Sequence, residues 1–267
     1  MLAFGGSMVA SAATRADIGL AGLAASGGLI VVAVVISLWR KLELERSLLW
    51  AAARALVQLL IVGWALQLVV DPDDPLFWSW IWVSIMLLFA AWTTSQRAAG
   101  VPRVFPLALI AYSISGVVTL GVLFGFQVYE LEGRTIVPLA GIVVGNSLSA
   151  TVLVSRQLLA AATEQRGVIE GRLALGLSAA DAFQPHLRRA LRTALVPQIE
   201  TTKAVGIVAL PGAMVGLILA GVDPADAVKV QISVMYLVLG SVATTTTVMS
   251  LGISRQLFTS AQQLRRF

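Results

Sequence analysis

The chain has 267 residues, 58% of them hydrophobic and only 12% charged, about half the roughly 25% that a water-soluble domain carries to keep its surface wet. It contains no cysteine, which excludes disulfides, thiolate metal sites and a cysteine nucleophile. The net charge of +5 does not point to nucleic acid, because the basic residues sit in short clusters between long apolar runs, as membrane orientation requires.

The first 17 residues are small and weakly apolar, without a basic start ahead of an apolar core, so no cleaved signal peptide is expected. A helix rises about 1.5 Å per residue, so a hydrocarbon core of about 30 Å takes about 20 residues. In chain order the stretches that satisfy this are Ile18–Leu38, Ser47–Val70 with Arg54 inside it, Leu76–Gln96, Val104–Tyr129, Thr135–Ser155, Ala204–Val222 and Val230–Ser254. These seven predict an all-α polytopic bundle in the inner or plasma membrane, organised as a single domain over residues 1–267. An outside amino terminus and an inside carboxyl terminus put all but Arg15, Arg134 and Lys229 of the 19 basic residues on the inner side. The outer links Asp71–Pro75, Glu130–Arg134 and Asp223–Lys229 are then the acidic ones. Trp78, Trp80 and Trp82 fit an interfacial aromatic belt at the outer end of the third span.

Within the spans, polar residues ask for a reason, because the bilayer penalises them. Arg54 and Gln58, four apart, share a helix face near the inner end of the second span. Arg54 either snorkels to the interface or forms an ion pair with Glu45 or Glu200. Lys41–Ala53, ahead of it, lies either in the membrane or along its inner face. Asn146 sits mid-span beside the small residues Gly141, Gly145 and Ser149, which would let another helix approach. It either hydrogen-bonds across that contact or lines a path with Ser147 and Thr151, whose oxygens suit a hard cation. Pro211-Gly212 should kink or unwind the sixth span, and Gly212, Gly216 and Ala220 form a second small-residue stripe. The hydroxyls of Thr244–Thr247 are expected to bond back to their own helix. Met214, Met235 and Met249 read as packing rather than as soft-metal ligands.

One inner segment is long: Arg156–Lys203, 48 residues. Leu173, Leu177, Ala180 and Phe183 recur at helical spacing, and Gly176–Ser178 predicts a break with Ser178 capping the next helix. Pro197 predicts a further bend, and Glu200 and Lys203, three apart, a structural ion pair. The segment is either a surface anchor or a docking element for a cytoplasmic partner. His186 is the one histidine, there is no Walker A pattern, and no Ser/His/Asp set or His-Glu-x-x-His is present. The chain is therefore expected not to be an enzyme. No acidic residue lies well inside a span, against a proton-relay carrier.

Several segments occur in a recognisable order: Arg54-Ala-Leu-Val-Gln58, Val137-Pro-Leu-Ala-Gly-Ile-Val-Val-Gly-Asn146, and Lys203-Ala-Val-Gly-Ile-Val-Ala-Leu-Pro-Gly-Ala-Met-Val-Gly216, followed by Gly221-Val-Asp-Pro224 and Gln231. Over Lys41–Leu251 the chain resembles the FetB-type ABC-transporter permeases, a family linked to iron export in bacteria and to aluminium tolerance in plants. The resemblance implies the membrane (permease) domain of a transporter, present as a homodimer with two separate cytoplasmic ABC ATPase subunits. ATP and Mg would sit on those partners, with no cofactor on this chain. It implies export of iron or another metal ion; a nucleotide-sugar, suggested by the plant relatives, and a stand-alone channel or secondary carrier are the alternatives. Candidates for the substrate path are Gln58, Asn146, Ser147, Thr151, Pro211, Gly212, Met214 and Gln231. Candidates for the ATPase contact lie within 156–203: Glu170, Arg172, Gly176, Ser178 and Phe183. Glu170-x5-Gly176 matches the start of the importer "EAA" loop, whose later Ile-x-Leu-Pro part this chain lacks.

Overall fold

A computed structural model describes residues 20–69, 76–207 and 210–265. The regular structure is helical: α1 (Leu20–Arg40), α2 (Glu45–Val69), α3 (Leu76–Arg97), α4 (Val104–Gly125), α5 (Gly133–Glu164), α6 (Arg166–Ala174), α7 (Ala179–Ala204), α8 (Gly212–Leu219) and α9 (Pro224–Leu257). Among the described residues five helices are long and apolar enough to cross a membrane, those beginning at Glu45, Leu76, Val104, Gly133 and Pro224; α1 supplies a shorter apolar stretch, Ala25–Arg40. The protein is an all-α, multi-pass membrane bundle. Arg15 and the outer link Asp71–Pro75 lie outside the described residues.

Helix ends follow local chemistry. α1, α4, α6 and α8 each stop in a left-handed residue, Lys41, Gln127, Gly176 and Gly221, with an N–H one residue further on reaching back five residues. These bonds, such as Val128 N–H to Leu123 O at 2.8 Å, satisfy carbonyls that the last turn leaves free. This end stops α4 at Gly125, before the expected Tyr129. Only four residues separate α1 from α2. The Ser37 hydroxyl closes that turn, accepting from Leu44 N–H and donating to Glu45 Oε1 at 2.6 Å. α2 runs unbroken from Glu45, so Lys41–Ala53 divides into a turn and a helix start.

The sixth apolar stretch is not one helix. α7 ends at Ala204, Val205 is extended, Gly206 turns left-handed at φ 91°, and α8 starts only at Gly212. Proline has no N–H and disfavours helix in the residue before it, which favours a break at Leu210–Pro211. The eight residues of α8 span about 12 Å, short of the bilayer's about 30 Å. Pro197, by contrast, lies inside α7, which continues seven residues past it to Ala204.

The described residues gather into two compact units, one of residues 20–68 and 210–231, the other of 69, 76–207 and 232–265. In the second unit α3, α4 and α5 pack on one another, and α7 lies along α5. α5 is 32 residues, about 48 Å, so it carries the start of the expected inner segment as a continuation of a membrane helix. Arg156 Nε donates to Arg97 O at 2.7 Å, capping the end of α3 from there. α7 buries Ala182, Phe183, His186, Ala190 and Ala194 on one face and exposes Arg188, Arg189 and Arg192. The expected stripe through Leu173, Leu177 and Ala180 is not buried, because the turn at Gly176 resets the helical phase.

Candidate functional site

In the first unit the chemistry gathers at the start of α8. Pro211 is its N-cap, and the first N–H groups of any helix lack partners within it. Gln231, near the start of α9 and only 4% exposed, supplies one acceptor: its Oε1 takes the Met214 N–H at 3.2 Å. Pro211, Gly212, Met214 and Gln231 thus form one constellation, a broken apolar segment held by a buried amide. Such breaks are where transporters present backbone groups at membrane depth. Gln58 and Arg54 are exposed on α2 in the same unit. Both acids expected beside Arg54 are engaged elsewhere: Glu45 by Ser37, and Glu200 by Lys203 at 2.9 Å as the spacing predicted. Among the described residues nothing comes within 4 Å of a Cβ built at Gly212 or Gly216, so no close helix approach is seen at that stripe.

In the second unit a buried hydroxyl cluster joins α3, α4 and α5. Thr94 Oγ1 and the Tyr112 hydroxyl lie 2.9 Å apart, and Thr151 reaches the same hydroxyl. Thr151 Oγ1 donates to Ser147 O at 2.7 Å, and Ser155 Oγ to Thr151 O at 2.6 Å. Ser147 Oγ is buried without a hydrogen-bond partner among the described residues. Asn146 turns away from this cluster: it is exposed, and its Nδ2 donates to Ile142 O of its own helix at 2.8 Å. The threonine run behaves as its sequence suggests, Thr244, Thr245 and Thr246 donating to Gly240, Ser241 and Val242 carbonyls. The tightest approach falls where no stripe was read. A Cβ at Gly252 of α9 would sit 2.9 Å from Leu107 Cδ2 and 3.0 Å from Cγ; in the expected stripe a Cβ at Gly141 would meet Met86 Cε of α3 at an ordinary 3.6 Å, and one at Gly145 nothing within 4 Å among the described residues. A groove of about 520 Å³ between Trp80, Gly116, Gly121, Phe124 and Val144 is almost wholly apolar and excludes Ser147 and Thr151 from its lining.

On the arginine-rich side, α6 and α7 meet in a tight elbow. Gly176 sits at φ 85°, where a side chain is strained, and Leu177 N–H reaches Arg172 O at 3.3 Å. Ser178 caps α7, accepting from Asp181 N–H at 3.2 Å, and Arg172 Nη1 braces the elbow by donating to Ala182 O. Glu170 is held by Arg166 at 2.7 Å. Phe183, expected as a partner contact, is 1% exposed and packs edge-on against Phe258, so its part is internal support. The most exposed apolar side chain of the elbow is Leu175, 81% exposed at the tip. Sequence reading missed it, although a leucine directly before a helix-ending glycine is the available signal.

His186 stacks 5.6 Å from Phe183, and its Nε2 is buried without a hydrogen-bond partner among the described residues. Burial, aided by the positive charges of Arg172 and Arg189, holds its pKa below the ordinary imidazole value. The unfolded segment therefore takes up a proton at a pH where the folded one resists it. The packing is fully stable above about pH 6.5 and weakens as the pH falls toward the lowered native value. Amide exchange in α7, corrected for its intrinsic rate, is expected to rise between about pH 7.5 and about pH 5.5, and His186→Phe should abolish the rise. A pH-independent rate in the unaltered chain would refute this.

Among the described residues no three His, Cys, Asp or Glu side chains are grouped to hold a metal ion. The family model described as "Uncharacterised protein family (UPF0014)" matches residues 20–258, most of the chain. The chain belongs to the UPF0014 family. Among its UPF0014 relatives, "UPF0014 membrane protein STAR2" of Oryza sativa subsp. japonica is 36% identical over 219 residues, covering 81% of this chain and 76% of the relative. "Probable iron export permease protein FetB" of Escherichia coli (strain K12) is 34% identical over 240 residues, 88% of this chain and 91% of the relative. "Protein ALUMINUM SENSITIVE 3" of Arabidopsis thaliana is 30% identical, covering 88% and 86%. No solved structure matches the chain. The UPF0014 protein is thus a multi-pass membrane protein of a permease family, which in bacteria resides in the plasma membrane.

Proposed function

We propose that this UPF0014 chain is the membrane subunit of an ABC transporter that exports a metal ion, with iron the first candidate. The observation that carries the reading is the α6–α7 elbow. It is a braced two-helix hairpin on the arginine-rich side, ending in an exposed leucine over a left-handed glycine, the shape of a plug for a groove on another protein. The relative named as an iron export permease supports the cargo. Two copies of the chain would pair with two cytoplasmic ATPase subunits. ATP and Mg belong to those partners, and this chain performs no hydrolysis.

ATPase closure would pull the elbow and, through α7, the extended stretch after Ala204 that leads into α8. Release of the Gln231–Met214 bond would free the start of α8. The Gln231 oxygen released in this way suits a hard cation better than a thioether does. The test is reconstitution of the chain in vesicles with its ATPase. Iron is expected to raise ATP hydrolysis and to move across the bilayer only with ATP. Hydrolysis indifferent to iron would discard the cargo, and iron movement without ATP would favour the stand-alone carrier instead.

A further inference from the structure

The chain does not simply end after α9. It reverses into a short hairpin: Phe258 and Leu264 form an antiparallel bridge, Thr259 N–H donates to Gln263 O, and Arg265 N–H returns to Leu257 O, both at 2.9 Å. Leu257 and Leu264 are buried beneath it. Three independent contacts tie this hairpin to the docking segment. Arg166, the first residue of α6, forks onto it, Nη1 donating to Arg265 O at 2.9 Å and Nη2 to Leu264 O at 3.0 Å. Gln262 Oε1 accepts the N–H of Ala179, the first residue of α7 and one of the groups that a helix start leaves unpaired. The Phe258 ring meets Phe183 at 5.8 Å. Between hairpin and elbow lies an open groove of about 600 Å³, lined by Arg166, Glu170, Leu177, Gln262 and Leu264 among others.

A guanidinium that spends two donors on main-chain carbonyls is positioning backbone, and such charge-assisted bonds are roughly twice as strong as neutral ones. With Gly176 between them, α6 and α7 share only a four-residue link, Leu175–Ser178, so on their own they could flex about the elbow. The hairpin grips the first residue of each helix and spans that hinge. We propose that the C-terminal hairpin is a positioning element of the docking site: clamped by Arg166 and Gln262, it holds the α6–α7 elbow in the geometry that receives the ATPase and forms one wall of the groove beside it. This rests on the ABC-transporter reading above. It makes α9, which runs directly into the hairpin, a second route by which the docked partner moves the membrane helices.

The permease alone and the reconstituted complex test it together. In the permease alone, Arg166→Gln and removal of residues 259–267 are each expected to speed amide exchange at residues 171–183 by about tenfold, with Arg166→Lys in between. In the complex the same changes should cut metal-stimulated ATP hydrolysis at least fivefold while the ATPase still co-purifies. A short thiol cross-link between Ala179→Cys and Gln262→Cys, in a chain that has no other cysteine, should restore stimulation to the Arg166→Gln protein. Unchanged exchange would overturn the clamp. Faster exchange with undiminished stimulation, or a cross-link that fails to rescue, would overturn its role in docking. A wild-type chain that binds no ATPase would instead sink the ABC reading and the docking role with it, and the exchange result would still decide the clamp.

Discussion

Leu175→Asp is expected to abolish capture of the ATPase while leaving the permease folded. The side chain is 81% exposed at the tip of the elbow, so replacing it removes almost no internal packing. Its cost should appear only when a partner covers it. An apolar anchor that fills a partner's pocket typically accounts for about 2 kcal/mol or more, which is roughly a 30-fold loss of affinity. A carboxylate there adds the expense of burying an unpaired charge. Co-purification from detergent and ATPase stimulation at fixed permease concentration read the effect, and thermal unfolding of the isolated permease supplies the control. Binding within twofold of the unaltered protein would remove Leu175 from the interface. Lost binding accompanied by a lower unfolding temperature would make its role structural.

The second large effect is internal. Gly252→Val should destabilise the permease by about 1–3 kcal/mol, because the added methyls enter space that the Leu107 side chain already fills. Glycine within a helix normally weakens it by up to about 1 kcal/mol relative to alanine, so substitution would otherwise be expected to help. The sign of the change therefore reports on the contact between α9 and α4. Adding Leu107→Ala to Gly252→Val should return part of the loss, since the smaller residue vacates the same volume. Denaturant titration in a fixed detergent reads all four corners of that cycle. Additive losses would show that the two helices do not share the contact.

Both residues illustrate what could and could not be read from sequence. The membrane helices were legible because a 30 Å apolar solvent imposes a length and an absence of charge that few other constraints mimic. Ser178 as a cap was legible because its hydroxyl acts on the N–H three residues on, within one turn of chain. The pairing of Glu200 with Lys203 was legible for the same local reason. Gly252 was not, because small-residue stripes recur along membrane helices and only the neighbouring helix decides which of them is used. Gly145, Gly212 and Gly216 looked at least as good on paper, and Gly141 makes only an ordinary contact with Met86. Phe183 was misplaced because helical phase does not survive a left-handed glycine. Seven residues before it, Gly176 rotates α7 so that this ring faces inward and Leu175 outward.

The sequence by itself determined the solvent, the helical class, the arginine-rich face and the absence of thiol chemistry, all of which depend on composition and on spacing within a single turn or span. Tertiary structure decided how the sixth apolar stretch is used. Pro211 disfavours a continuous helix locally, but where the chain resumes depends on Gln231, seventeen residues beyond Met214, coming back to hold the new helix start. It likewise decided that the hairpin after α9 belongs with the elbow, since Arg166 meets Leu264 and Arg265 across almost a hundred residues of sequence. Contacts of that range leave no periodicity to read, because each partner answers to the other and not to its own neighbours in the chain.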